Sequence, residues 1–297
     1  MAIIVGACGY DYPDWVGEGR FYPAGLAKMR QDWLTYYASQ FSIAELNFTY
    51  YGESSPGQME QMLKRTEPSR KLFLLEGEFT PRADFMFVIK AYSTLTHNIE
   101  TKWREQARKF SNDIKPLADS GKLLGVLAQF PARAHCSREL IDYVLELARE
   151  LQPLQMIAEF RHLPWYATEI NAQLAEQGIT IAGIDAPREA KLPSVLGDYT
   201  ELKPDASADE PWKALGSPYT YIRLHGRREG SWWSGDAASR YEYHYDDGKL
   251  TRLANRLLAA DSNRIYVCFN NHRFAEAPRN AVRLQEILAQ LISQKSP

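Results

Sequence analysis

The sequence has few cysteines and no long apolar run, and each of these shortages argues against a class of protein. Only three cysteines occur, Cys8, Cys136 and Cys268, in no CxxC or Cys/His ligand pattern. This spacing argues against structural zinc and favours a reducing compartment. No stretch approaches the roughly 18 apolar residues of a membrane-spanning helix, and the N-terminus MAIIVGACGY lacks the basic segment of a signal peptide. We therefore expect a cytoplasmic protein with no membrane partner.

The sequence also lacks a strong charge imbalance. The formal net charge of its 297 residues is −2 and the pI is about 6.3, so nothing attracts the whole chain to a polyanion and nucleic acid is an unlikely partner. No GxGxxG or GxxxxGK[ST] follows any predicted strand, which argues against dinucleotide and P-loop folds. We predict no cofactor. The 45% of hydrophobic residues is enough to bury a large core.

What the chain does contain is an alternation of short β-rich apolar runs with helical periodicity, the signature of βαβ units. Eight strands are predicted, over Ala2–Gly9, Ser42–Tyr51, Phe85–Tyr92, Leu123–Phe130, Met156–His162, Ile179–Asp185, Tyr219–Gly226 and Arg264–Asn271. Helices are predicted over Leu26–Gln40, Pro56–Lys64, Lys102–Asp119, Ser137–Leu151, Tyr166–Glu176, Leu250–Ala260 and Ala277–Ser293. This pattern predicts an α/β fold, a single (β/α)8 TIM-type barrel domain with parallel strands over residues 1–297.

Three segments depart from the βα alternation. Lys191–Pro218 is rich in Pro, Asp, Ser and Gly and is predicted to be irregular. Two rim insertions are predicted, near residues 69–84, as a small hairpin or helix, and near residues 227–248, as an aromatic loop after strand seven. That loop either packs on the rim or acts as a lid, with Tyr241 and Tyr245 as its pocket contacts.

Polar residues recur at the ends of the predicted strands. Residues two apart on a strand point the same way, so strand two would present Glu45, Asn47 and Thr49 together. The other candidates are Lys90, Gln129, Glu159, Arg161, Asp185, Arg223, His225, Arg227, Asn270 and Asn271. They either form structural ion pairs or line a substrate site, and chemistry in barrel enzymes occurs at this face.

Residue type assigns each candidate a role. Glu159 or Asp185 would act as acid or base, and His225, kept neutral by neighbouring positive charge, would assist proton transfer. Lys90, Arg161, Arg223 and Arg227 would bind an anion. A metal held by Glu45, Glu159, Asp185 and His225 is also conceivable, but the nearby cations oppose it and no HxH or HExxH spacing supports it. We predict no metal.

The ordered motifs resemble the YecE-like family, known as domain of unknown function, family 72. The resemblance rests on WVGEGRFYP (residues 15–23), ELNFTYY (45–51), YIRLHGR (221–227) and Phe269-Asn270-Asn271, among other segments, and covers nearly the whole chain. It implies a TIM-type barrel and supplies no reaction. The 69–84 insertion and the 227–248 loop depart from the family pattern.

Three functions remain open on this evidence. The first is an enzyme, a hydrolase or isomerase, acting on a small anionic ligand that carries a phosphate or a carboxylate. The second is a non-catalytic protein that binds or senses a metabolite in the same pocket. The third is a metal-dependent nuclease-like barrel acting on phosphodiesters.

Overall fold

The chain folds as a nearly closed parallel barrel surrounded by helices. The computed structural model describes residues 1–199, 201–202, 217–233 and 237–295. The strands are β1 (Ala2–Cys8), β2 (Ile43–Leu46), β3 (Leu72–Leu74), β4 (Gly77–Phe79), β5 (Met86–Lys90), β6 (Leu123–Gln129), β7 (Met156–Glu159), β8 (Thr180–Ile181), β9 (Gly183–Asp185), β10 (Thr220–Leu224) and β11 (Arg264–Phe269). The helices are α1 (Trp33–Gln40), α2 (Phe48–Tyr51), α3 (Pro56–Arg65), α4 (Trp103–Asp113), α5 (Lys115–Asp119), α6 (Arg138–Glu150), α7 (Thr168–Glu176), α8 (Ala237–Arg240), α9 (Asp247–Leu258) and α10 (Glu276–Lys295).

Nine parallel strands form the barrel sheet, in the order β8-β7-β6-β5-β2-β1-β11-β10-β9. The two end strands, β8 and β9, are separated in the chain by Ala182 alone, whose amide donates to the carbonyl of Ala158. They are therefore two halves of one barrel position. The TIM-type barrel predicted from the sequence is confirmed, and each of the eight predicted strand positions holds a strand.

The bounds of several elements differ from the prediction, and the single helix predicted over Lys102–Asp119 is two helices, α4 and α5. Strand two ends at Leu46, because Asn47 already has helical backbone angles and residues 48–51 form α2. The prediction that Thr49 continues the strand was wrong, and its hydroxyl bonds instead to the carbonyl of Lys90. The first predicted helix begins only at Trp33, after two short 3-10 turns.

The two segments flagged as insertions are partly described. Residues 72–79 form the antiparallel β3–β4 hairpin, as the first alternative for that insertion predicted. In the predicted irregular segment, residues 200 and 203–216 lie outside the described residues, as do 234–236 of the aromatic loop. Among the helices in the described ranges, none has the length and apolar character needed to cross a membrane.

Two apolar layers hold the fold together. The inner layer fills the barrel and includes Cys8, Ile43, Val88, Leu127, Ile157, Ala182, Tyr221 and Cys268. The outer layer lies between the strands and the helices. Gly6 allows the close packing of β1 on β2, since a Cβ there would lie 2.3 Å from the carbonyl oxygen of Ile43. The inner layer fixes which residues face the mouth of the barrel.

Candidate functional site

The inner layer continues into polar side chains at the C-terminal ends of the strands. Two residues after an inner apolar residue come, strand by strand, Glu45, Lys90, Gln129, Glu159, Arg223 and Asn270. Since the side-chain period of a strand is two, these residues also face inward. Arg161 comes two residues after Glu159, and His225 comes two residues after Arg223, so the same period points both of them inward. Most of the predicted site residues therefore meet at the mouth.

Arg223 is the centre of this cluster. Its Nε donates to Oε2 of Glu45 at 2.8 Å and its Nη2 donates to Oε1 at 2.6 Å, a bidentate pair. Its Nη1 donates to Oε2 of Glu159. The hydroxyl of Tyr221 donates to Oε2 of Glu45 at 2.8 Å. Both carboxylates are wholly buried and Arg223 is 2% exposed, so this guanidinium pairs with both carboxylates inside the protein.

The buried charges fix one another's protonation. Burial by itself would raise the pKa of Glu159, but the charges of Arg161 and Arg223 outweigh it and hold the pKa well below its ordinary value. Burial would also raise the pKa of Glu45, but Arg223 outweighs it and lowers the pKa. Both carboxylates are therefore ionised at neutral pH.

Arg161 lies between the buried carboxylates and the opening of the barrel. Its Nε donates to Oε1 of Glu159 at 2.6 Å, and its guanidinium lies over the ring of Trp232 at 4.5 Å. The side chain is 8% exposed. No described residue accepts a hydrogen bond from its Nη1 atom, so Arg161 keeps a donor that an anion at the mouth would use.

His225 lies one step beyond Arg223 toward the mouth, beside Glu159. Its Nδ1 is 2.9 Å from Nδ2 of Asn270, and its Nε2 is 3.3 Å from Oε2 of Glu159. With the amide oriented in this way, Asn270 donates to Nδ1 and the Nε2 proton points to the carboxylate. Burial lowers the pKa of His225 to about 4, with Arg161 acting in the same direction and Glu159 opposing the shift. The neutral imidazole expected from the sequence agrees with this direction.

The neutral state of His225 predicts a loss of stability in acid. Because the pKa is lowered in the folded state, the unfolded chain binds the proton first as the pH falls from about 6.5 to about 4. The free energy of unfolding should fall over this window, by at most about 1.4 kcal/mol per pH unit for this group. Denaturant titrations of His225→Gln should show a shallower fall, and His244→Gln, an exposed control, should not. Parallel curves for all three proteins would contradict the assignment.

Lys90 differs from the other cations of the cluster because its partners are uncharged. Its Nζ donates to Oε1 of Gln129 at 2.8 Å and lies 4.0 Å from the ring centre of Tyr50. Burial lowers the pKa of Lys90 to about 8, with Arg223 and Arg161 acting in the same direction and the more distant Glu45 and Glu159 opposing the shift. The described cluster thus pairs two carboxylates (Glu45, Glu159) with two arginines (Arg161, Arg223), which leaves one excess positive charge on Lys90.

Four other predicted site residues form a separate cluster outside the barrel. Ala182 faces the interior of the barrel, and Asp185 is one residue out of phase with it when residues are counted in steps of two. Its side chain therefore faces the helices. Its carboxylate accepts from Ser194 at 2.7 Å, from the Tyr245 hydroxyl at 2.7 Å and from Arg227 at 2.9 Å. Gly226, with a φ of +88°, turns the chain so that Arg227 leaves the mouth. Both oxygens of this carboxylate accept hydrogen bonds, and through Arg227 and Tyr245 they hold the loop after β10.

Asn271 and Tyr245 complete this outer cluster. Asn271 donates to the carbonyl of Tyr243 at 2.7 Å and to Oδ1 of Asn280 at 2.8 Å. The Asn280 amide also bonds to both backbone groups of Tyr245. Asn271 and Tyr245 therefore fasten the aromatic loop to α10, and they lie away from Glu159 and Arg161.

Aromatic side chains surround the mouth. The ring of Trp232 lies 5.8 Å from that of His225, and Tyr241 lies 6.3 Å from it. Tyr241 also contacts His272, which stacks on Tyr12 at 4.5 Å. Trp165 is wholly buried against Phe160, so it covers the strand end and does not reach the mouth.

A cavity of about 710 Å³ opens beside the mouth, on the side of β1 and β2. Its walls are residues 9–12, residues 45–48, Tyr51 and the inner face of α3 up to Arg65. Asn47 lines it and has a buried amide oxygen without a hydrogen-bond partner. This volume is typical of a small-molecule site. Of the predicted site residues, Glu45 and Asn47 border the cavity.

Sequence reasoning missed several residues of the mouth. Tyr221 shares the register of Arg223 and could have been found from it. Tyr50 was missed because its segment was predicted to be a strand, whereas it forms α2. Arg133, whose guanidinium bonds to the carbonyl of His97, belongs to a loop and carries no periodic signal.

The donor set of the mouth does not favour a metal. Within the described ranges, no group of three or more His, Cys, Asp or Glu side chains is arranged to hold an ion. Glu45 and Glu159 spend their oxygens on Arg223, Arg161 and Tyr221. A cation would have to displace an arginine to reach them.

Comparisons with known proteins agree on one family. A family model described as "Protein of unknown function DUF72" matches residues 4–297. The chain is 25% identical to the UPF0759 protein YunF of Bacillus subtilis, over 92% of each chain. A solved DUF72 family protein of Thermotoga maritima is 30% identical with a TM-score of 0.75, over 97% of this chain and 100% of that one. A DUF72 family protein of Enterococcus faecalis, 21% identical with a TM-score of 0.73 over 97% and 96%, is similar in fold.

Proposed function

The chain belongs to the DUF72 family of proteins of unknown function, and we propose that it is an enzyme acting on a small anionic substrate at the mouth of its barrel. The observation that carries this proposal is the excess positive charge at the mouth, where Lys90 has no carboxylate partner among the described residues. Barrel enzymes carry out their chemistry at this face. An anion would neutralise the charge and use the free donor of Arg161.

The proposed roles differ from residue to residue. Arg161 binds the anion, and Lys90 supplies charge beside it. The ionised Glu159 and the neutral His225 form the acid–base pair, joined by a 3.3 Å contact. Arg223 holds both buried carboxylates in place, and Asp185 with Arg227 holds the aromatic loop, so these three are positioning residues. Trp232 and Tyr241 cover the site, which excludes water from it.

Anion binding is the first test of this function. We expect inorganic phosphate and pyruvate to bind saturably in calorimetry at pH 7. Affinity should fall as the pH rises through about 8, because Lys90 loses its proton there. Removing one charged donor costs about 1.5–3 kcal/mol, so Arg161→Met should weaken binding by roughly tenfold to a hundredfold.

Matched variants separate the site from the general charge of the surface. Arg108 forms an exposed pair with Glu150, so Arg108→Met should leave the affinity unchanged. Lys90→Met should weaken binding and remove its dependence on pH near 8. If neither anion binds, or if Arg108→Met and Arg161→Met weaken binding equally, the proposal fails.

A further inference from the structure

Lys90 has the surroundings of a nucleophile more than those of a structural cation. It is the last residue of β5, at the end of the barrel where the side chains of several strands converge. Its amino group is held by the amide oxygen of Gln129 and the face of Tyr50, both uncharged. A structural lysine at this depth would normally lie against a carboxylate.

The environment also favours the neutral amine. Burial and then Arg223 and Arg161 lower the pKa of Lys90 to about 8, and they outweigh the opposing charges of Glu45 and Glu159. A lysine that is desolvated beside other cations has a lone pair available near neutral pH, and this is how amine nucleophiles for carbonyl groups are activated. An ordinary surface lysine is almost wholly protonated at that pH.

We propose that the Lys90 amino group forms an imine with a carbonyl group of the substrate. The substrate class is then a small aldehyde or ketone that carries a carboxylate or phosphate, with the anion on Arg161 and the carbonyl carbon at Lys90. This proposal rests on the proposed function and narrows it to isomerisation or carbon–carbon bond chemistry next to a carbonyl.

Groups suited to proton transfer lie around Lys90. The ring of Tyr50, which contacts the Lys90 amino group, also contacts His97 with ring centres 4.8 Å apart. Burial lowers the pKa of His97 to about 4, with Lys90, Arg133 and Arg161 adding to the effect, so its imidazole is neutral. Nδ1 of His97 is 3.0 Å from the Thr96 hydroxyl. A neutral imidazole can accept and return a proton during imine formation.

The step balances without an external oxidant or reductant. The amine lone pair attacks the carbonyl carbon and forms the C–N bond, and one proton of the nitrogen passes to the carbonyl oxygen to give a carbinolamine. A second proton, from solvent, reaches that oxygen, the C–O bond breaks, and water leaves as the C=N bond forms. The protonated imine then takes up the electron pair of an adjacent C–H or C–C bond, and the proton or the carbon fragment leaves, which gives an enamine. A proton returns to the enamine carbon and restores the imine, and hydrolysis by one water molecule releases the free lysine, the product carbonyl and the solvent proton.

Reductive trapping tests this proposal on the intact protein. Pyruvate and cyanoborohydride, which reduces imines in preference to ketones, are added at pH 8, and labelled lysines are located by peptide mass spectrometry. We expect a carboxyethyl group on Lys90, added with a rate that saturates with pyruvate. Lys122 is the internal control, because burial also lowers its pKa but it precedes β6, at the opposite end of the barrel. We expect Lys90 to react at least about tenfold faster than Lys122, since its pKa lies near the working pH.

Two comparisons separate this proposal from anion binding. Acetone has the carbonyl of pyruvate without its carboxylate, so it should label Lys90 more slowly. Lys90→Arg keeps the positive charge without the nucleophile, so it should bind pyruvate and lose the fast, saturable labelling, leaving only background labelling of lysines such as Lys122. Because the wild-type measurement needs no variant, a misfolded Lys90→Arg would not block the test.

The possible outcomes distinguish the two proposals. Preferential labelling of Lys90 by pyruvate over acetone supports both. Equally fast labelling of Lys90 by pyruvate and acetone supports the imine and overturns the anion site. Saturable pyruvate binding in calorimetry, with Lys90 labelled no faster than Lys122, overturns the imine and leaves the anion site standing.

Discussion

Replacing Arg223 by methionine is expected to lower the free energy of unfolding by about 3–5 kcal/mol, the usual cost of breaking a buried ion pair on one side. The variant leaves Glu45 and Glu159 wholly buried, with Glu45 deprived of its bidentate partner. Arg161 and His225 still contact Glu159, so Glu45 carries most of the cost. Equilibrium denaturation in urea, with the slope compared between proteins, measures the loss.

A set of compensating changes tests the cause of that loss. In the Arg223→Met variant, the carboxylate of Glu45 is left buried without its partner. Adding Glu45→Gln removes that charge, so the double variant should recover part of the lost free energy of unfolding. Arg108→Met, at an exposed salt bridge, should change the free energy by less than about 1 kcal/mol. A double variant no more stable than Arg223→Met alone would show that packing, and not charge, is responsible.

This prediction assigns the two kinds of cation at the mouth to different tasks. Each of the three nitrogens of Arg223 donates to a buried carboxylate, and its side chain is only 2% exposed, so it serves mainly to pair Glu45 and Glu159. Arg161 and Lys90 lie nearer the opening and keep a free donor or an uncharged partner. Lysine and arginine are not interchangeable here, because a guanidinium pairs with two carboxylates and an amine can act as a nucleophile.

The sequence was sufficient to predict the barrel and most of the inner cluster. A strand period of two, counted from apolar residues such as Ile157 and Tyr221, places Glu159, Arg161, Arg223 and His225 on one face. The same counting would also have separated Asp185, had the phase of strand six been known. That strand is broken at Ala182 into two short halves, so its register could not be read from so few residues.

Other parts of the site depend on turns that the pattern does not encode. Arg227 has the inward phase of Arg223, but the positive φ of Gly226 redirects the chain and carries it to Asp185. The segment after Leu46 is rich in β-forming residues and yet forms α2, which carries Tyr50 to Lys90. In both cases tertiary contacts overrode the local preference, and the cavity beside β2 arises from the same turn.

Replacing Trp165 by alanine is expected to destabilise the protein by about 3–5 kcal/mol, the usual cost of deleting a buried large aromatic side chain. Its ring is wholly buried and lies parallel to that of Phe160, with centres 4.0 Å apart and an angle of 2°. Its Nε1 donates to the carbonyl of Ala134 at 2.8 Å. The alanine variant therefore leaves a cavity against Phe160, the residue that precedes Arg161. It also leaves the carbonyl of Ala134 without its hydrogen-bond donor.

The conservative variant separates these two contributions. Trp165→Phe keeps most of the stack on Phe160 and loses the hydrogen bond to Ala134, so it should cost about 1–2 kcal/mol. Trp165→Ala should also weaken phosphate binding, because Phe160 fixes the backbone from which Arg161 reaches Glu159. Urea denaturation and calorimetry on the same samples test both effects. An alanine variant that loses stability but binds phosphate as tightly as the wild type would show that Arg161 is positioned by Glu159 alone.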